Sequence, residues 1–329
     1  MFKAAPSFSR DLDCLQTRSR RPRAHPPNFA LLCDWIVWQP GQILGRDEAP
    51  EIIYVRSDDQ TLCWFTEAVL PELSSRFVLV TGSHDRPMPM GWAAQIGLDW
   101  EGLLGHPGLV AWFTENRDIT DDRIQPLTLG IPCPDVSSWI KGAAGPGLWD
   151  GETFAAARTW RREPKSDSVF GCWHDRSGHA SGTSPIGENE RSLCRAQLSA
   201  KPFFSWSEPV LSHPQFLGGL RDHGFVACPH GGGLDPSPKA WEALHVGTIP
   251  ILKRSSTSDA FLGLPVVFVD DWTDITPAAL AAWSEEHRPA IESTDLEHLL
   301  SNQALLDRIR ATVIATGDPA TRTTPSELS

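Results

Sequence analysis

The sequence predicts an α/β fold of two consecutive doubly wound halves, each a mostly parallel sheet covered by helices, facing one another across a cleft. Three observations carry that expectation. Short apolar runs suited to buried strands alternate with stretches of helical periodicity, the pattern of right-handed crossover units. The alternation is interrupted at the glycine-rich stretch Lys141 to Gly147 and then resumes. The 329 residues, 40% hydrophobic and 21% charged, suffice for two domains with ordinary cores.

Residues 1–28 show no period, contain four prolines, and carry Lys3, Arg10, Arg18, Arg20, Arg21 and Arg23 against Asp11 and Asp13. They read as a basic, poorly ordered arm. Residues 29–150 form the first half. Leu31 to Val37 and Ile52 to Val55 read as strands, and Arg56 to Asp59 is a polar cluster suited to cap a helix. Leu62, Phe65, Val69 and Leu73 recur at helical spacing, with Pro71 bending the last turn. Phe77 to Val80 is a buried strand, Trp92 to Leu104 a helix, Leu109 to Phe113 a strand, and Ile124 to Ile131 another. The second half, 151–318, opens with a helix over Phe154 to Trp160. Strands follow at Ser168–Trp173, Phe225–Cys228, Thr248–Leu252 and Pro265–Val269. Helices are expected at Leu193–Leu198, Gln215–Leu220, Pro238–Val246, Pro277–His287 and Leu296–Ile314, before a polar tail over 319–329.

Composition excludes several function classes. A net charge of -12 argues against a broad surface gripping nucleic acid phosphates. Only the basic arm offers a contact for nucleic acid or anionic lipid. No apolar run approaches the roughly 20 residues needed to span a bilayer, and the start lacks the apolar middle of a secretory signal. The expected location is cytoplasmic. Seven cysteines, without a Cys-x-x-Cys pair, suggest neither a disulfide framework nor a zinc knuckle. Cys33, Cys63 and Cys228 lie in apolar runs and read as small core residues. Of fourteen tryptophans, Trp38, Trp64, Trp112 and Trp241 fall within expected elements as core, leaving others open for stacking on a sugar.

The chemistry concentrates in one segment. The strand Phe225–Cys228 empties into Pro229, His230, Gly231, Gly232, Gly233, Leu234 and Asp235. Consecutive glycines free the backbone to turn and let a ligand approach its N–H groups. Ser237 is placed as an N-cap and Pro238 at the first helical position. The helix stops at Gly247, a C-terminal glycine. Such a helix start offers unpaired N–H groups and a positive dipole end to an anion. Lys239, in the first turn, is out of place against that dipole unless a diphosphate sits nearby. Glu242, three residues on, shares its face, and its carboxylate is suited to accept hydrogen bonds from two ribose hydroxyls. A plain crossover turn with a surface Lys–Glu pair is the simpler alternative. No Gly-x-x-x-x-Gly-Lys-Ser/Thr loop is present, which argues against a triphosphate site.

Phe225 to Lys253 resembles the donor-binding segment of exostosin-like and related GT-B glycosyltransferases. Pro229, Gly231, Gly233, Asp235, Lys239, Trp241-Glu242-Ala243-Leu244, Gly247, Pro250 and Ile251 stand in that family's order. The resemblance implies a GT-B-like fold of two Rossmann-like domains, with Glu242 on the nucleotide ribose and Lys239 on the diphosphate. Glu188 to Arg191 is similar to the Asn/Arg element that precedes the donor loop, making Arg191 a second phosphate contact, or else a solvated helix-start residue. Ile53–Asp58, Phe77–Gly82 with His84 and Asp85, and Ala111–Asn116 with Leu129–Pro132 look like the acceptor side. The departures are Lys239, where Arg is more frequent, and the less familiar His230 and Pro236.

A GT-B enzyme generally neutralises the departing diphosphate with helix dipole and basic side chains, so no metal and no cofactor are expected beyond a UDP- or GDP-linked sugar donor. The partners expected are that nucleotide sugar and a glycan or other hydroxyl acceptor, with no membrane insertion. Asp11-Leu12-Asp13 sits in the arm, a poor place for a metal-bound donor. Asp270 and Asp271 read as a helix-flanking pair. An inverting reaction needs a base for the acceptor hydroxyl. Asp58, His84, Asp85 and Glu115 lie at or beyond strand ends, each with a structural alternative as cap, turn or loop residue. Asp85 and His84 rank first because Thr81 to Arg86 is a small strand exit; His230 faces donor, acceptor or only its own turn. Two other readings stand beside the transferase: a GT-B-fold epimerase or phosphorylase, and a non-catalytic sugar- or nucleotide-binding module.

Overall fold

A computed structural model describes residues 7–9, 29–46, 48–127, 130–131, 149–174, 190–235 and 238–317, the side chains of 7–9 and 314–317 excepted. The junction expected at Lys141–Gly147, the Asp11–Asp13 pair, the tail after Gly317, Ser237 and Pro236 lie outside them. Among the described residues no helix is long and apolar enough to cross a membrane.

The described residues form two α/β layers of Rossmann-like character. The first sheet contains β1 (Ser7–Ser9), β2 (Trp35–Gln39), β3 (Gln42–Gly45), β4 (Ile52–Arg56), β5 (Phe77–Gly82), β6 (Leu109–Thr114) and β7 (Ile124–Pro126), in spatial order β1-β3-β2-β4-β5-β6-β7. Only the β2–β3 hairpin is antiparallel. The second sheet holds β8 (Ser166–Gly171), β9 (Phe204–Trp206), β10 (His223–Cys228), β11 (Ile249–Lys253) and β12 (Val267–Val269), ordered β12-β11-β10-β8-β9 with every pairing parallel.

Between β8 and β10 the chain reverses its direction of travel across the sheet, so the second layer is doubly wound with its switch point there. The first layer is not: β4, β5, β6 and β7 follow one another in simple order. Its two faces are nevertheless both covered. Ile53, Val55, Leu79 and Trp112 pack with α1 (Asp59–Trp64), α2 (Met90–Ile96) and α3 (Trp100–Leu104). The alternate residues Ile52, Tyr54, Val78, Val80 and Phe113 pack with Phe29, Leu31 and Ile309 of α10 (Asn302–Gly317). The C-terminal helix, assigned by sequence to the second half, thus closes a face of the first.

Local differences from the sequence expectation have physical causes. Ser7–Ser9, expected within a structureless arm, adds a parallel strand to β3. Leu31–Asp34 is a turn rather than the start of a strand: the Asp34 carboxylate accepts from the Glu51 and Ile52 N–H groups at 2.8 and 2.9 Å, which offsets β2 to Trp35. The hairpin that follows turns at Gly41, whose φ of 83° suits glycine. The single helix expected over Trp92–Leu104 is two. Gly97 ends the first at φ 67°, and the Asp99 carboxylate, accepting from Gly102 N–H at 2.9 Å, starts the second. The segment through Pro71 passes from α-helix into a π-turn and then a 3-10 turn.

The second layer is flanked by α4 (Gly151–Trp160), α5 (Glu190–Leu198), α6 (His213–Asp222), α7 (Lys239–Val246), α8 (Pro277–Glu292) and α9 (Asp295–Leu299). Asp271 caps the turn Trp272–Asp274, accepting from Thr273 N–H at 2.9 Å, the structural role expected for that acidic pair.

Candidate functional site

The carboxyl end of β10 delivers the glycine loop to the switch point of the second sheet, where ligands of such sheets bind. Helix α7 then starts beyond Pro238, whose carbonyl accepts from the Trp241 and Glu242 N–H groups, both at 3.0 Å. It ends at Gly247, φ 90°, as its sequence required. Ala240 through Val246 are all buried, so α7 is an internal helix and only its first turn opens toward the loop.

Cationic groups gather around that turn. Arg191, at the start of α5, donates from Nε to the His230 carbonyl at 3.2 Å and from one terminal nitrogen to the His174 carbonyl at 3.1 Å. Its guanidinium lies where a methyl on Gly231 would come within 2.6 Å, so the glycine makes room for it. Lys239 Nζ stands 5.0 Å from the centre of the Trp173 ring. Burial lowers its pKa, with the Arg191 charge acting in the same direction. Beside them Lys253 Nζ is 3.3 Å from Glu190 Oε2, while Glu190 Oε1 accepts from Trp272 Nε1 at 2.7 Å. His230 is 2% exposed and neither ring nitrogen has a hydrogen-bond partner. Burial pulls its pKa down, against the opposing pull of the Glu190 charge.

Glu242 is held more firmly than its sequence suggested. Trp149 Nε1 donates to its Oε1 at 3.0 Å, and His213 Nε2 lies 2.7 Å from the same oxygen. Both contacts use Oε1. Oε2 is left for a further donor.

The opposing wall comes from the first sheet. Thr81, Thr114 and Trp112 form a buried chain beneath the strand ends: Trp112 Nε1 donates to Thr81 Oγ1 at 2.8 Å, which donates to Thr114 Oγ1 at 2.7 Å. Above it sits Glu115, 2% exposed. Its Oε2 accepts from Ser83 N–H at 2.8 Å, and its buried Oε1 has no partner. Burial raises its pKa well above the ordinary carboxylate range, the Ser83 and His84 N–H groups oppose that, and the Asp235 and Asp85 charges reinforce it. Ser83 and Asn116, with φ of 70° and 54°, are the non-glycine residues of positive φ among those described, and both stand here. Backbone strain of about 1–3 kcal/mol per residue is concentrated at one rim.

The two walls touch through Asn116. Its Oδ1 accepts from Asp235 N–H at 2.9 Å, and its Nδ2 donates to the His84 carbonyl at 2.9 Å. Gly233 packs against this bridge: a methyl there would collide with Asn116 Oδ1 and come within 2.6 Å of the Asp85 carbonyl. A second clasp is Arg117, which donates from Nε to the Ser256 carbonyl at 2.9 Å and pairs with Asp259 at 2.9 Å.

The sequence matches no protein-family model and no characterised protein. What links the chain to function is therefore its own geometry. Arg191, His230, Gly231, Gly232, Gly233, Asp235 and Lys239 belong to one corner, and His84 and Asp85 lie directly across from Gly233 and Asp235. Ser237 lies outside the described residues. Asp58 is the N-cap of α1, accepting from Thr61 N–H at 3.0 Å. His84 is a turn residue in this state: its Nδ1 accepts from Arg86 N–H at 3.0 Å and its ring meets Trp92 edge-on at 5.1 Å. Asp85 is exposed at the rim. Glu115, ranked behind those two by strand-exit position, is the carboxyl with the perturbed environment; only its burial distinguishes it. Trp149 and His213 reach the site from elements far apart in sequence and carried no local signal, while Trp173 and Asn116 were legible only as ends of an expected strand and of the acceptor-like segment.

Proposed function

We propose that the chain is a GT-B-like glycosyltransferase that moves a sugar from a UDP- or GDP-linked donor to a hydroxyl acceptor. The observation that carries this reading is the corner at the second sheet's switch point, where the glycine loop, Lys239 and Arg191 surround the open first turn of α7. In this reading Lys239, Arg191 and the loop N–H groups hold the diphosphate and neutralise it as it leaves. Glu242 Oε2 accepts from a ribose hydroxyl while Trp149 and His213 keep the carboxylate aimed through Oε1. The acceptor enters from the first sheet's side. There Asp85 is the exposed carboxylate that takes its proton, and Glu115, whose burial favours the protonated form, lies behind it.

The grip of Trp149 and His213 on Glu242 also fits a second reading, a nucleotide-sugar-binding module in which that carboxylate is structural. Incubation with UDP- and GDP-sugars and a mixed pool of saccharide acceptors separates the two. The transferase reading expects release of free nucleoside diphosphate that depends on acceptor. Saturable binding without release would overturn it in favour of the module.

A further inference from the structure

A cavity of about 230 Å3 lies between the two layers, away from the glycine loop, where β7, α7, the 3-10 turn Ser258–Phe261 and α10 meet. Its walls are largely aliphatic, with Leu127, Leu264 and Leu305 among them, and Trp241 forms part of the side next to α7. It exceeds the ~150 Å3 apolar cavities known to take a benzene-sized molecule. Two leucines stand at its border in water, Leu262 at 77% exposure and Leu299 at 43%. Large aliphatic side chains left exposed beside a preformed cavity are what a binding mouth requires.

One wall is charged. Arg308 of α10 reaches across to the first layer, donating to the Pro126 carbonyl at 3.2 Å, and its guanidinium lies 5.5 Å from the centre of the Phe113 ring. Among the described residues no carboxylate comes within ion-pair distance of it. The nearest acid that favours its charge, Asp259, is already paired with Arg117 at 2.9 Å. Burial, and then the Arg117 charge, disfavour the charged form of Arg308. Two guanidinium groups therefore share one acid beside an apolar cavity.

We infer that this cavity is a second binding site, for a small organic anion with an apolar body and a carboxylate head that meets Arg308. The apolar body fills the space between Leu127, Leu264 and Leu305, and the head supplies a counter-charge that no described carboxylate places within ion-pair distance of Arg308. Because the walls come from both layers, occupancy ties them together beside Trp241, the neighbour of Glu242 on α7. The site does not depend on the proposed glycosyl transfer.

Thermal unfolding of the full chain in octanoate, and separately in octanol at equal concentration, tests this. Octanoate is expected to raise Tm in a saturable manner and to bind roughly tenfold more tightly than octanol, the advantage of a charge-assisted contact. Arg308→Met should erase that preference, and Ala304→Phe, which fills the cavity, should abolish both shifts while far-UV dichroism stays native. Equal shifts from octanoate and octanol, no shift from octanoate, or an octanoate shift that survives Ala304→Phe would each overturn the inference. The comparison of the two probes on the unaltered chain decides it even where Arg308→Met fails to fold.

Discussion

The two walls of the candidate site are built on opposite electrostatic plans. On the second sheet's side, main-chain N–H groups, Arg191 and Lys239 gather at a helix start and offer positive potential to a ligand. On the first sheet's side, Asp85 and the buried Glu115 face Asp235 across the Asn116 bridge. The first arrangement suits an anion that is present throughout, the second a proton that has to be held or moved. The strained residues Ser83 and Asn116 sit on the acidic side alone. The difference teaches that, under the proposed reading, the donor would meet described residues of ordinary backbone conformation, whereas the positive-φ residues Ser83 and Asn116 lie on the wall assigned to the acceptor.

The contact between the walls is the place to break this comparison. Gly233→Ala forces a methyl against Asn116 Oδ1 and the Asp85 carbonyl. Overpacking at a buried backbone contact costs about 1–3 kcal/mol, and the loop must also leave its place. A urea midpoint lowered accordingly, with nucleotide affinity lost in parallel, is expected; an unchanged midpoint would separate loop from bridge.

Glu242 sharpens the donor side. Glu242→Ala leaves Trp149 Nε1 and His213 without their acceptor, so it destabilises by about 1–3 kcal/mol. Glu242→Gln keeps an acceptor at Oε1 and is expected to retain most of that stability while weakening nucleoside diphosphate binding. Chemical denaturation of both variants checks the split. Equal losses would make the residue structural only.

The smallest effect concerns the acidic wall. Glu115 binds its proton more tightly folded than unfolded. Its contribution is therefore complete below the unfolded carboxylate pKa of about 4.3 and is lost as pH rises through the higher folded value. Glu115→Gln, which mimics the protonated form, should flatten that decline in a Tm-against-pH series. A wild-type Tm that rises with pH over the same window to the same degree as in the variant would remove the proposed proton store.

What was legible from sequence follows from how local each feature is. The glycine loop, α7 and its Gly247 terminus are written in consecutive residues, and the alternation of strands and helices identified the α/β class. The grip on Glu242 comes from residues 93 and 29 positions away, and the Asn116 bridge spans 119 positions. No periodicity reports such contacts. Glu115 was visible as a strand-end carboxylate, but its burial and unpaired Oε1 arise only when Gly82 and Ser83 fold over it. The hairpin at Gly41 and the break at Gly97 were signalled by their glycines. The first layer's simple strand order and the return of α10 to it depend on tertiary packing alone.

The donor corner is tested most directly by calorimetric titration of the full chain with UDP and GDP, followed by the same titration of Lys239→Met. Saturable one-site binding to at least one of them, weakened roughly a hundredfold by loss of a charge-assisted contact in a half-buried site, with unchanged far-UV dichroism, is the result predicted. Absence of binding to both, or an affinity that Lys239→Met leaves untouched, would contradict it.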